Sequence, residues 1–336
     1  MVACGLCHTE IHMRDNDWGS SNFPMVPGHE GVGVIQAVGS AAHLHAVGDK
    51  VGVGWARDSC GSCSNCMLGR ENLCLKGYQG TFLGAGAGCW GKEPHNEHGG
   101  CFSKVMRVNE KFVFAIPEGI PAEVAAPLLC GGTTVWEPIC DYVKPGTKMG
   151  VISVGGLGTE AIKLASTVGA VVTAFSRTPA KKEGALQCGA NSFVIQTDDD
   201  QMEAAKGTLD FILDTCPVNT DLSTMLDLLQ FGGTYCRVGL PPATNSGFSY
   251  DIIPLVFQAK KIAGSVICGS SRTKSMFEVV AANKKRMVED LPTFSVVRMP
   301  FDQVNEAMDK LTSEKLEGYR IVLFWPDAKA TLREAA

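Results

Sequence analysis

The most informative absences in this 336-residue chain concern charge and long apolar runs. It has no basic patch and no long charge run, and its formal net charge is -5. That argues against nucleic acid or anionic membranes as main partners. No uninterrupted apolar stretch reaches the roughly 18 residues of a spanning helix, so no membrane anchor is expected. The N-terminus shows no charged leader followed by an apolar core, and a cytoplasmic enzyme is the expectation. No internal repeat or low-complexity segment interrupts the chain. Charged residues make up only 19% and hydrophobic ones 45%, ordinary values for a globular protein. The length exceeds one typical core and suggests two domains.

Cysteine is not scarce: there are fourteen. Cys60, Cys63, Cys66 and Cys74 crowd together as C-x2-C-x2-C-x7-C, whereas a disulfide framework spreads its cysteines over the loops it staples. Four thiolates this close can complete a tetrahedron around zinc and leave no open position, which makes the site structural. All seven histidines lie between His8 and His98, so metal and proton chemistry belongs to the N-terminal part.

Residues 24–56 alternate Val-rich runs with Gly (GVGVIQAVG, VGDKVGVGW), the texture of an antiparallel, barrel-like β domain. The 57–100 stretch has little periodicity and reads as a long loop region that a metal would order. From about Pro145 strands and helices alternate. Strand signals fall at 149–154, 170–175, 193–195, 209–215, 233–239 and 260–267, and helical ones at 159–169, 181–190 and 222–229. Such alternation predicts a doubly wound parallel sheet. The segment 270–325 is too short for its own domain and is expected to fold back onto the first.

A strict G-x-G-x-x-G occurs at Gly86, Gly88 and Gly91, without a strand before it or a helix after it, and reads as a decoy. The better dinucleotide turn is Ser153-Val154-Gly155-Gly156-Leu157-Gly158, which has both, although Ser replaces the first Gly. Gly155 would admit a pyrophosphate and Gly158 close helix packing. The second strand leads to Ser176-Arg177-Thr178, with Lys181 and Lys182 after it and no carboxylate. Hydroxyls and a guanidinium suit a 2′-phosphate, so NADP is expected over NAD.

Taken together, CGLCHTEIH, NDWGSSNFPMVPGHEGVG, the four-cysteine cluster, APLLCGGTTVWEP and the glycine turn resemble the zinc-dependent medium-chain alcohol dehydrogenases. NDWG and FPMVPGHE look like the cinnamyl alcohol dehydrogenase and aldehyde reductase branch. The resemblance implies an α/β protein: a Rossmann NADP-binding domain over 131–268 and a mainly antiparallel, GroES-like zinc domain over 1–130 and 269–336. It implies Cys7, His29 and Cys130 as catalytic zinc ligands, with Glu30 able to exchange in. It also implies Thr9 taking the alcohol proton, His12 passing it toward solvent and His8 contacting cofactor phosphate. Val266 falls where the family lines its pocket and is counted with the cofactor contacts, as is Arg320 at a phosphate. Two zinc ions, NADP(H), a small alcohol or aldehyde and a homodimer complete the expectation.

Three departures from the family stand out. Glu10 replaces the usual Asp that orients the zinc histidine and, one methylene longer, must be placed differently. Ser153 is the second. The third is the start of the chain almost at CGLCH, which reads as an N-terminal truncation or a wrongly assigned start; missing strands would leave unpaired edges in the catalytic domain. The competing readings are a zinc-free quinone or enoyl reductase, a zinc-ribbon nucleic-acid module and a non-catalytic relic. The first lacks the cysteine lobe, and the second needs more basic residues than Arg70 and Lys76.

Overall fold

The computed structural model describes residues 1–82, 99–245, 247, 249–289, 296–313 and 320–326. The chain divides into two compact units. One holds Met1–Thr133, Ile267–Lys284 and Thr293–Ala336; the other holds Thr134–Val266 and Lys285–Pro292. The sequence boundaries at 130 and 269 lie near these, but Lys285–Pro292 clusters with the second unit. Among the described residues, no helix is long and apolar enough to cross a membrane.

The first unit is built on a six-stranded mixed sheet in the order Val296–Pro300, Arg320–Phe324, Ala3–Leu6, Gly31–Val34, Lys50–Val53 and Val113–Ala115. All neighbours are antiparallel except the first pair. The register Ala3↔Phe324 to Leu6↔Ile321 sews the C-terminal segment onto the N-terminal strand. Beneath it Leu6, Ile11, Met308, Leu311, Ile321 and Leu323 form one apolar cluster. Each such side chain removed from water is worth about 1.5–3 kcal/mol. The stretch from 57 is more ordered than its composition suggests. It carries a short antiparallel pair (Ala56–Asp58 with Gln79–Gly80), a helical turn at Ser64–Met67 and a 3-10 turn at Glu71–Leu73. Gly86, Gly88 and Gly91 lie outside the described residues.

The second unit is a six-stranded parallel sheet in the order Lys261–Gly264, Leu229–Arg237, Leu209–Asp214, Lys148–Ile152, Val171–Ser176, Ser192–Ile195. Numbered along the chain, this is the doubly wound order 3-2-1-4-5-6, whose switch point lies between Lys148–Ile152 and Leu209–Asp214. Ligands of such sheets bind outside the carboxyl ends of the strands at that point. Phe175, Leu209, Ile212, Leu226, Leu229 and Tyr235 pack its core. Helices at Asp199–Ala205 and Ile252–Phe257 join the three that the sequence pattern foresees.

Candidate metal centres and dinucleotide turn

Cys7 ends the turn after strand Ala3–Leu6 and caps helix α1 (His8–Asp15). His29 and Glu30 lie directly before strand Gly31–Val34. Cys130 comes from a π-helical turn, Leu128–Gly132, wedged between two α-helical stretches. Such widened turns are frequent at functional sites. Their ligand atoms all lie within 4.8 Å of one another, and all four residues are buried.

The surrounding contacts fix the orientation of these donors. His29 Nδ1 donates to Glu10 Oε1 at 2.5 Å, which turns Nε2 toward Cys130 Sγ, 3.0 Å away. Glu10 Oε2 accepts the backbone N–H of Cys7 at 2.9 Å. The extra methylene of Glu10 therefore serves two donors: one oxygen orients the histidine and the other caps α1. Glu30 Oε1 lies 3.4 Å from Arg320 Nη1, while Oε2 is buried without a hydrogen-bond partner among the described residues. A Cβ on Gly131 would meet the Arg320 guanidinium at 1.8 Å, so the residue after Cys130 must be glycine for that approach. Arg320 thus points inward to the cluster.

The electrostatics match a cation site. The Cys130 thiol beside Cys7 holds Cys7 well below the ordinary thiol range, against the effect of burial. The same contact, then burial, drives Cys130 well above it. Burial works to lower His29, but Glu10 and Cys7 outweigh it and hold the imidazole well above its usual range. Burial pushes Glu30 up to about 8, with Arg320 pulling the other way. Two thiols and a carboxyl this close ionise together only beside a cation. Two sulfurs, one imidazole and an orphaned carboxylate oxygen fit zinc with an exchangeable position.

Around His29, Trp55 packs edge-on at 5.0 Å and Phe82 at 5.7 Å between ring centroids, and Trp55 Nε1 donates to the Tyr78 hydroxyl at 3.2 Å. Trp55 was not foreseen, although a Trp closing the glycine-rich VGVGW strand is a readable signal. Thr9 is half-buried, 3.5 Å from the Cys7 sulfur. His12 Nδ1 pairs with Asp17 at 2.7 Å and its ring lies against Trp18. Thr9 and His12 share a face of α1 but no hydrogen bond. His8 is exposed.

The second cluster brings together Cys60, Cys63, Cys66 and Cys74, also within 4.8 Å. Sulfur separations of 3.8 Å (Cys60–Cys66), 3.5 Å (Cys63–Cys66) and 4.0 Å (Cys63–Cys74) are far beyond a disulfide bond. They match the edge of roughly 3.8 Å that a tetrahedron with zinc–sulfur bonds near 2.3 Å demands. Backbone N–H groups of Ser62 and Cys63 pull the Cys60 thiol down to about 6, as they would for a metal-bound thiolate. Glu71 ties this lobe to helix α2 (Ser270–Ala282), accepting the Ser270 N–H and hydroxyl at 2.7 Å each.

In the second unit the turn at 153–158 joins Lys148–Ile152 to helix α3 (Gly156–Thr167). Ser153 sits at φ 73, the left-handed region that glycine adopts freely. A Cβ on Gly158 would meet the Ser153 carbonyl oxygen at 2.0 Å, whereas one on Gly155 would meet nothing within 4 Å. Gly155 caps α3 without a side-chain acceptor, which leaves the first-turn N–H groups without a capping side chain, while Val154 is buried. A cradle that open fits a pyrophosphate. Ser176 ends its strand buried, its hydroxyl accepting the Thr178 N–H at 3.1 Å. Arg177 is exposed and makes no ion pair among the described residues; burial lowers the half-buried Lys181. Val266 is exposed in the unit as described.

Comparison with known proteins gives a consistent picture. Residues 1–118 match the alcohol dehydrogenase GroES-like domain family, and residues 156–282 the zinc-binding dehydrogenase family. The chain is 38% identical over 326 residues to a probable mannitol dehydrogenase of Fragaria ananassa, covering 96% of this chain and 86% of that protein. It is 37% identical over 329 residues to cinnamyl alcohol dehydrogenase 8 of Arabidopsis thaliana, with the same coverages. The solved cinnamyl alcohol dehydrogenase of Sorghum bicolor superimposes with a TM-score of 0.85 at 35% identity, covering 96% of this chain and 88% of that one. The Helicobacter pylori enzyme, solved with NADP(H), gives 0.82 at 32% identity with the same coverages.

Proposed function

The chain belongs to the zinc-binding alcohol dehydrogenase family, and from that premise we propose that it is an NADP-preferring enzyme interconverting primary alcohols and aldehydes, cinnamyl-type or aliphatic. The observation that carries this is the buried convergence of Cys7, His29, Glu30 and Cys130 within 4.8 Å. When bound, zinc supplies Lewis acidity to the alcohol or aldehyde oxygen and the dinucleotide supplies or accepts the hydride.

The chain's own residues do the rest. Cys7, His29 and Cys130 hold the metal, and Glu30 offers a further oxygen. Glu10 keeps the His29 ring turned. The Thr9 hydroxyl, able to accept and donate in one step, holds the substrate proton, and His12, backed by Asp17, passes it outward. Trp55 and Phe82 keep water from the site. Cys60, Cys63, Cys66 and Cys74 hold a second, structural zinc. Val154, Gly155, Gly156, Leu157 and Gly158 take the pyrophosphate. Val266 lines the pocket beside it. Ser176, Arg177, Thr178 and Lys181 take the 2′-phosphate, a reading supported by the NADP(H) complex of the Helicobacter pylori relative. Cysteines gathered in two ligand clusters rather than spread over stapled loops support a cytosolic setting.

The reading includes a homodimer. The second unit leaves Ile252, Ile253, Val256 and Phe257 of one helix exposed, Phe257 by 83%, together with Phe231. They accompany the outer strand Lys261–Gly264, which among the described residues pairs on one side only and which a second copy would cover. The test of function is absorbance of NADPH and NADH with a panel of aliphatic and cinnamyl aldehydes. Turnover with NADPH and weak turnover with NADH supports the proposal; no turnover with either refutes it.

A further inference from the structure

Every parallel strand that borders the switch point ends in a loop, and one of these loops is held with unusual thoroughness. Strand Leu209–Asp214 runs into residues 215–220. At its start, Thr215 donates its N–H to Ile152 O and its hydroxyl to Ile152 O and Ser153 O, at 2.9–3.1 Å. That fastens the loop to the dinucleotide turn. Its far half is gripped by Arg237, at the carboxyl end of the neighbouring strand.

Arg237 donates five hydrogen bonds. Nε reaches Gly239 O at 2.9 Å; Nη1 reaches Thr220 Oγ1 at 3.2 Å and Asp214 Oδ2 at 3.3 Å. Nη2 reaches the carbonyls of Cys216 at 3.2 Å and Val218 at 2.8 Å. Asp214 is fully buried and also accepts from Tyr235 (2.6 Å), Thr220 (2.8 Å) and the Cys216 N–H (2.8 Å). A buried carboxylate is costly unless paired, so the guanidinium both neutralises Asp214 and spans the loop. A planar fork with five donors can meet three carbonyls, a hydroxyl and a carboxylate at once; an ammonium cannot.

We infer that Arg237 is a positioning residue for the dinucleotide, clamping residues 215–220 as a preformed wall of the crevice at the switch point. The inference rests on the dinucleotide reading proposed above. It needs no contact between Arg237 and the cofactor: the ordering cost of the loop is met by the fold before the ligand arrives.

The test uses the full-length protein with Arg237→Leu and Arg237→Lys. NADPH binding is followed by its fluorescence, KM for NADPH is separated from kcat, and hydrogen exchange is read over 215–220 and, as a control, 149–154. The expected result for Arg237→Leu is a dissociation constant and KM raised about tenfold with kcat nearly kept. Exchange accelerates at 215–220 and stays unchanged at 149–154. Arg237→Lys restores part of the affinity. Wild-type affinity together with unchanged exchange in Arg237→Leu overturns the inference. If that variant fails to fold, Thr220→Val removes one hydroxyl shared by Asp214 and Arg237: weaker binding and faster loop exchange support the clamp, and no change in either overturns it. A wild-type protein that binds neither NADPH nor NADH overturns the dinucleotide reading itself. Unprotected 215–220 in that protein overturns the clamp separately.

Discussion

Glu10 is asked to satisfy two donors, and Glu10→Gln shows what that is worth. The carboxylate accepts His29 Nδ1–H at 2.5 Å and the Cys7 N–H at 2.9 Å, fully buried from solvent. Glutamine keeps the length and volume but has a single acceptor oxygen, so its amide group must face one of the two donors. A buried donor left unsatisfied costs about 1–3 kcal/mol. At about 2 kcal/mol the equilibrium shifts by roughly 30-fold. Whichever donor loses, a metal ligand is loosened: His29 by rotation, or Cys7 by fraying of the first turn of α1. Zinc affinity at this cluster is expected to fall by about 10–100-fold, the usual effect of losing a ligand's supporting contact. Glu10→Asp keeps both acceptors but is too short to serve both donors, and should fall between wild type and Glu10→Gln. The assay is competition with a chromogenic chelator, counting the weaker and tighter zinc separately. Wild-type zinc affinity and melting temperature in Glu10→Gln would refute the reasoning.

Other consequences follow from the same geometry. Cys63→Ser breaks the sulfur tetrahedron and should lose one zinc and lower the melting temperature, read by metal analysis and calorimetry; unchanged metal content would contradict a four-thiolate site. Ser153→Gly relieves a left-handed residue worth about 1–2 kcal/mol against a glycine entropy cost of about 0.5–1 kcal/mol. A small stabilisation in denaturant titration is expected, and a clear destabilisation would mean that the serine side chain itself contributes. Arg177→Glu places a carboxylate where the 2′-phosphate is proposed to sit. KM for NADPH should rise by roughly 10–100-fold, as for a lost charge-assisted contact of about 1.5–3 kcal/mol, with little change for NADH; an unaltered NADPH:NADH ratio would remove Arg177 from that site.

Much of this architecture is legible from local pattern. The doubly wound sheet follows from alternating apolar runs and helical spacings, because both signals are local and survive in any tertiary setting. The C-x2-C-x2-C-x7-C cluster is equally local, and its four sulfurs come together as the spacing implies. The dispersed cluster is different. Cys7 and Cys130 lie 123 positions apart in the chain, and only the fold brings strand Ala3–Leu6 and the π turn to one place. Without the family resemblance Cys130 reads as an apolar core residue. Other features escaped because they are tertiary: Trp55 packing on His29, the two-sided use of Glu10 and the Arg237 clamp each depend on partners far away in sequence. Glycine-rich and cysteine-rich texture hid the short strand pair at Ala56–Asp58 and Gln79–Gly80, since two to three residues carry no periodicity.

On the proposed function, Cys7, His29 and Cys130 hold a catalytic metal distinct from the one in the four-cysteine lobe. The direct measurement is zinc per chain, NADPH binding and aldehyde turnover in wild type and Cys7→Ser, all on the same samples. Wild type is expected to hold two zinc ions, one for each ligand cluster. The variant is expected to hold one, with NADPH binding kept and turnover lost. Full turnover by Cys7→Ser, or two tightly held zinc ions in it, would show that Cys7 does not hold a catalytic metal.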